Sequence, residues 1–240
     1  MKTTSVYRSI LALDIQRSTG PLRTDPIRAE LRALIYRFLD EAMDVAGIDR
    51  RHCDPLEDRG DGLLALIHPV DSIPKVLLLQ RVVSELTRKV RDYNANLTVG
   101  DLIRRELRLR VVVHAGEVHC DGKGYFGEDL DVAFRLLDAP RFKRESGKTI
   151  MPLGLIVSET IYWSVVQHEY DGIRRRHFRP AVQVRVGGRR RQGFICDLGG
   201  ELRLDLSRIR SAERWPVTWP RPSPRGSAAP SPGPRRGSRR

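Results

Sequence analysis

Residues 107–139 read LRLRVVVHAGEVHCDGKGYFGEDLDVAFRLLDA. Leu107 to His114 predicts a strand, carried by the β-branched run Val111-Val112-Val113. Gly127 to Leu137 opens and continues as a helix. Upstream, Ser9 to Ile15 is a second short apolar strand, and Pro26 stands where a helix can begin. Ile27, Leu31, Leu34, Ile35, Phe38, Leu39 and Met43 recur at three- and four-residue intervals, predicting a long amphipathic helix that ends near Gly47. Residues 53–69 read as a hairpin turning at Arg59-Gly60-Asp61-Gly62, and a second long helix is expected from about Ser72 to Asn94. Downstream come a short strand at Leu155–Val157 and a helix carrying Ile161, Tyr162 and Val165. A closing pair, Val182–Val186 and Gly193–Leu198, flanks the turn Gly187-Gly188. The order β-α-β-β-α-β with extra strands predicts a ferredoxin-like α+β sandwich.

Two aspartates stand at the ends of apolar runs. Asp14 closes Leu11-Ala12-Leu13-Asp14-Ile15, and Asp61 precedes Gly62-Leu63-Leu64-Ala65. An ionised carboxylate is expensive to bury unless a cation or hydrogen-bond donors meet it. The pair suits hard, oxygen-preferring metals such as Mg²⁺ or Mn²⁺; two turn carboxylates facing water are the alternative.

At 240 residues the chain holds one domain, expected over residues 1–205, plus an extension. No run of 18 apolar residues is present, so no membrane span is expected, and the N-terminus lacks the pattern of a signal peptide. Cys53, Cys120 and Cys196 are widely spaced, giving neither a zinc pattern nor an even disulfide set, as in a reduced, cytoplasmic protein. The net charge of +13 invites a nucleic-acid reading, but its distribution weakens it. Arg221, Arg225, Arg235, Arg236, Arg239 and Arg240 fall in a Pro-, Ser- and Gly-rich tail, residues 206–240, whose composition predicts disorder. No stacking surface or helix-turn-helix pattern supports nucleic acid as a partner.

Taken together, these segments resemble the class III nucleotidyl cyclases, the adenylate and guanylate cyclase family. The matches are Asp14, Ile15, Ser18 and Thr19 in a strand-end motif, and Gly60 and Asp61 in a hairpin. They continue with His114, Ala115 and Gly116 after a strand, then Phe126, Gly127, Leu130, Ala133 and Arg135 at a helix start. The likeness spans roughly residues 5–200, in the family's order, and implies the same α+β sandwich.

The resemblance also implies an activity: cyclisation of a nucleoside triphosphate with release of pyrophosphate. Two divalent ions, Mg²⁺ or Mn²⁺, would be held by Asp14, Asp61 and the Ile15 carbonyl, and Arg135 would stabilise phosphate charge. Asp131 stands where the family places a ribose-orienting Asn, adding an acid beside an anionic substrate unless it is protonated or binds a cation. The expected phosphate-binding lysine of the late hairpin is missing, and Arg189 of the cluster 189–191 is the candidate substitute; a solvated basic turn is the alternative. The two base-specifying positions hold Glu57 and Gly124. Glu57 argues against ordinary ATP selection, Gly124 offers no side-chain contact, the pair fits neither purine pattern of the family, and the choice among ATP, GTP, UTP and CTP stays open. Because the family splits its metal aspartates and its Asn/Arg pair between subunits, a single copy of each motif implies a head-to-tail homodimer, or a heterodimer with another cyclase-like chain. A catalytically degenerate cyclase-homology domain, acting as a nucleotide-binding or dimerisation module, is the competing expectation.

Overall fold

The computed structural model describes residues 4–170 and 172–197. The tail expected at residues 206–240, the domain limit at 205 and the strand end at Leu198 lie outside the described residues. In chain order, β1 is Thr4–Ile15, α1 Asp25–Ala46, β2 Glu57–Asp58, β3 Gly62–Ile67, α2 Val83–Ala95 and α3 Val99–Arg105. There follow β4 Leu109–Cys120, β5 Tyr125–Phe126, α4 Glu128–Leu137, α5 Pro140–Ser146, β6 Leu153–Ser158, α6 Glu159–Ser164, β7 Phe178–Val186 and β8 Arg189–Cys196. One mixed sheet runs β2-β3-β1-β4-β6-β8-β7, with β5 paired to β4.

The first four strands in that order, with α1 and α2 as crossovers, form the βαββαβ unit that the sequence predicts. β1 lies at its centre, antiparallel to both neighbours, with Leu11 opposite Ala65 on β3 and Val113 on β4. Both sides of this central strand are buried. Leu11, Leu13 and Ile15 pack with α1 and α2, while Ile10 and Ala12 pack with α4 and α5. A strand covered on both faces has no use for alternation, which is why β3 and the central stretches Ile10–Leu13 of β1 and Val111–Val113 of β4 read as apolar runs. The Ile27–Met43 stripe of α1 is buried as its spacing requires. Gly47, in the left-handed region at φ 73°, ends that helix, with Gly47 N–H bonded to Asp44 O and Ile48 N–H to Met43 O.

Several boundaries differ from expectation. β1 begins at Thr4, and β4 continues past His114 to Cys120, because the two strands pair from Thr4↔Cys120 to Ile15↔Leu109. The second long helix starts after Pro74 rather than at Ser72, as a proline disfavours helix in the residue before it. It then passes through a π-helical turn, Leu78–Val82, before α2 proper. Helices α3 and α5 were not anticipated; each has only 7 residues, too few to show a stripe. No helix among the described residues is long and apolar enough to cross a membrane.

Candidate active site

The end of β1 and the β2–β3 turn build the first half of the site. Asp14 lies opposite Gly62 in the β1–β3 ladder, and the next rung is Ile15 N–H donating to Asp61 O at 2.9 Å. A Cβ on Gly62 would stand 2.3 Å from Leu13 O, so only glycine lets the two strands close this far. The turn itself is held by Gly60 at φ 79° and by Gly60 N–H donating to Asp58 Oδ1 at 2.7 Å. Arg32 of α1 anchors it by bonding both Asp58 and Gly60 O. Asp61 is thereby set beside Asp14, near enough for its charge to act on that carboxyl. Ser18, buried in the turn after β1, donates its hydroxyl to Asp61 Oδ2.

A residue that the sequence reading passed over dominates Asp14. Arg110 on β4 grips it as a fork, Nε to Oδ1 at 2.8 Å and Nη2 to Oδ2 at 2.7 Å, with both side chains largely buried. The register β1 14↔110 places them side by side on one face. Burial pushes the Asp14 carboxyl above the usual range, Arg110 pulls it back, and the charges of Asp61 and Asp138 add to the upward push; the net direction is up.

The His114-Ala115-Gly116 stretch is a structural clamp. His114 Nε2 lies 3.1 Å from Asp129 Oδ1, and Nδ1 lies 2.7 Å from Ser158 Oγ, which caps α6 by accepting from Ile161 N–H. Asp129 Oδ2 also accepts from Glu117 N–H at 2.7 Å. The imidazole is thus held from both sides, its Nε2 facing the ionised Asp129 and its Nδ1 facing Ser158. Gly116 is obligatory here, since a Cβ would fall 2.1 Å from the Asp129 carboxyl. Two bonds and one glycine thus fix the first turn of α4 on β4. Burial raises the Asp129 carboxyl, and the bonds from His114 and Glu117 with the charge of His114 more than offset it, leaving it below the usual range.

That first turn forms one wall of a cleft of about 450 Å³ whose lining includes Arg59, Tyr125, Phe126, Asp131, Phe134 and Gly187. Glu57 and Gly124 meet beside it: Glu57 Oε1 accepts from Tyr125 N–H at 3.3 Å and would lie 3.7 Å from a Cβ at Gly124. Asp131 is exposed in the cleft wall. Arg135, Arg189 and Thr19 are exposed, and among the described residues none has a hydrogen-bond or ion-pair partner. Arg191, by contrast, is held by Glu128 at 2.7 Å.

The expected site residues therefore fall into two groups on one chain. Asp14, Ile15, Ser18 and Asp61 form one. Glu57, Gly124 and Asp131 form the other, and Arg135 sits one turn further along α4. Asp14 feels the charge of Asp138, the residue that ends α4, whereas the cleft is lined by the start of that helix, from Gly127 to Phe134.

No family model matches the chain, and neither does any curated protein. Solved structures do. A light-regulated bacterial adenylyl cyclase matches with TM-score 0.59 and 10% identity over 88% of this chain; the match spans 58% of that longer chain. The guanylyl cyclase Cya2 matches with TM-score 0.55 and 16% identity, covering 84% of this chain and 96% of its own. The adenylyl cyclase CyaB from P. aeruginosa matches with TM-score 0.56 and 13% identity, covering 82% and 96%. The chain has the class III cyclase catalytic-domain fold. Asp14 and Asp61 are oxygen donors of the kind hard cations take, and both Asp14 oxygens are bonded to Arg110 in this structure. Among the described residues no three His, Cys, Asp or Glu side chains converge, so a tetrahedral protein-only cage has no basis there.

Proposed function

We propose that the chain is a nucleotidyl cyclase, turning a nucleoside triphosphate into a 3′,5′-cyclic nucleotide and pyrophosphate at sites shared by two copies. The observation that carries this reading is the pairing of Asp14 with Asp61 through the Ile15–Asp61 backbone bond, on a cyclase fold. In the reaction the O3′–Pα bond forms while the bond from Pα to the pyrophosphate oxygen breaks, and the hydroxyl proton leaves to solvent. Asp14, Asp61 and the Ile15 carbonyl would hold two ions, Mg²⁺ or Mn²⁺, which supply charge neutralisation and a lowered hydroxyl pKa when bound. Ser18 orients Asp61 for that task through its hydroxyl. Arg135, a fork without a partner among the described residues, offers its donors to phosphate oxygens as charge builds up, and Arg189 does the same from the hairpin turn. The cleft beside Glu57 and Gly124 takes the base.

The division into two groups on one chain, with the split of metal and ribose residues between subunits that the resemblance implies, motivates the homodimer: a second copy supplies the cleft and Arg135 to the first copy's aspartates. A cytoplasmic setting is part of the same reading. A nucleotide-binding module without turnover is the second reading, favoured by the exposed acid Asp131 in the cleft wall. Incubation with each of ATP, GTP, UTP and CTP plus Mn²⁺, with cyclic product and pyrophosphate quantified by mass spectrometry, separates the two. The proposal expects equimolar products from at least one triphosphate and none from Asp14→Ala or Asp61→Ala. Nucleotide binding with no product from any substrate supports the module instead.

A further inference from the structure

The β7–β8 hairpin carries a cost that folding does not explain. Arg185 on β7 pairs in register with Arg190 on β8, so the two side chains stand directly opposite each other on one face. Like charges placed this way destabilise a strand pair. Both are exposed, and among the described residues neither has a hydrogen-bond or ion-pair partner. Protecting the sheet edge against strand addition accounts for Arg185, because β7 is the last strand of the sheet. It does not account for Arg190, which lies on the inner strand of the pair.

By the two-residue alternation of a strand, the same face runs along β8 from Arg190 through Gln192 to Phe194. Gln192 is matched across the hairpin by Gln183, whose Nε2 donates to Gln192 Oε1 at 3.2 Å. Phe194 stacks on Tyr162 of α6 with ring centroids 3.8 Å apart, and Trp163 stands nearly perpendicular to both. Trp163 is 57% exposed. At the end of β8, Asp197 N–H donates to His177 O at 2.8 Å, which brings the segment before β7 alongside. There Arg174 and Arg175 are exposed, their side chains without a partner among the described residues, and Tyr170 is 49% exposed next to them. Two acids border this end, Glu169 and Asp197, and Glu169 Oε1 is taken up by Arg175 N–H at 2.9 Å. The strand from Arg190 to Cys196 spans about 20 Å, so basic groups flank an aromatic centre over that length.

We propose that this face binds single-stranded nucleic acid. Arginines at both ends take backbone phosphates, and the exposed rings between them stack on bases. A phosphate chain supplies negative charge at intervals over such a length and relieves the opposition of Arg185 and Arg190. An acidic peptide meets the charges but makes no use of Trp163 and Tyr170, whose rings suit the π-faces of bases. A duplex keeps its bases stacked inside and leaves those rings without a partner. The sequence alone shows no stacking surface because Trp163 and Phe194 become neighbours only when α6 packs on β8. The face is separate from the triphosphate site: Arg189, one residue before Arg190, projects from the opposite side of the hairpin.

The test is fluorescence anisotropy of labelled single-stranded DNA and RNA of about 12 nucleotides, titrated with the full chain over a salt series. Wild type is compared with Arg185→Gln/Arg190→Gln and with Trp163→Ala. Losing two phosphate contacts should weaken binding roughly tenfold and flatten the slope of log K against log salt by about 1.4. Trp163→Ala should weaken binding about tenfold and leave that slope unchanged. The double variant also removes the opposed charges, so its Tm should not fall, and this arm does not depend on the packing of Trp163. No binding at low salt overturns the proposal, as does equal affinity and slope for wild type and the double variant. So does a glutamate peptide of equal length that binds as tightly as the oligonucleotide and ignores Trp163→Ala. Cyclic product is not read in this experiment, so its outcome stands apart from turnover.

Discussion

Replacing Gly116 by alanine tests the clamp that seats α4, and its effect follows from the geometry. The backbone at Gly116 is not in the left-handed region, so alanine brings no conformational strain. Its Cβ, however, would lie 2.1 Å from Asp129 Cγ and Oδ2 and 2.7 Å from Asp129 Cβ. Asp129 must swing away, which breaks its bonds to His114 Nε2 at 3.1 Å and Glu117 N–H at 2.7 Å. His114, only 2% exposed, is left without one of its partners. Two hydrogen bonds to a carboxylate at a half-exposed position, plus an unsatisfied buried group, amount to about 3–4 kcal/mol; the gain from a less flexible unfolded chain offsets about 0.5–1. A net loss of about 2–3 kcal/mol corresponds to roughly 4–12 °C in Tm for a domain of this size. Denaturant unfolding of the full chain, with the m-value checked for constancy, reads this directly. In an Asp129→Gly background the obstructing side chain is gone, and the same Gly116→Ala change should shift stability by less than about 0.5 kcal/mol. An equal loss in both backgrounds, or no loss in wild type, refutes the clamp.

Arg110→Met leaves Asp14 buried and unpaired, with an expected loss of about 3 kcal/mol, while Asp14→Leu combined with Arg110→Met loses less than Arg110→Met alone by chemical denaturation. Asp129, below the usual carboxylate range in the fold, contributes stability that is present above the unfolded value of 3.8 and lost as pH falls through its lower folded value. The stability difference between wild type and Asp129→Asn, measured by denaturation from pH 7 to 3, should therefore shrink below about pH 4. Asp131→Asn removes a like charge from the cleft, and one charge near a solvated surface is worth about 1 kcal/mol, so triphosphate affinity should rise about fivefold. A fall instead identifies Asp131 as a cation ligand.

The sequence made the central strands and α1 legible because burial dictated their composition directly. Ile10 to Leu13 and Val111 to Val113 are apolar on every residue since helices cover both faces of the sheet. Gly62 was legible as a turn glycine, whereas the close approach of Asp129 that demands glycine at position 116 appears only in the structure. What composition does not encode is register. Asp14 and Arg110 are 96 positions apart, and only the β1–β4 alignment reveals that they share a face. Asp129 is one of three acids in the first turn of α4, and its role depends on the imidazole it faces. The outer part of β1, Thr4 to Arg8, is not legible because Thr4, Ser5 and Arg8 flank the part-buried Val6 and Tyr7, leaving no continuous apolar run there.

The pairing of Asp14 with Asp61 can be measured without turnover. Free Mn²⁺ is followed by electron paramagnetic resonance while the ion is titrated into the full chain with a 3′-deoxynucleoside triphosphate, for wild type, Asp14→Asn and Asp61→Asn. Wild type is expected to bind Mn²⁺ beyond what the nucleotide alone holds, and each variant to lose at least about tenfold of that affinity. Equal Mn²⁺ binding by wild type and both variants would contradict the assignment of these carboxylates to the metal.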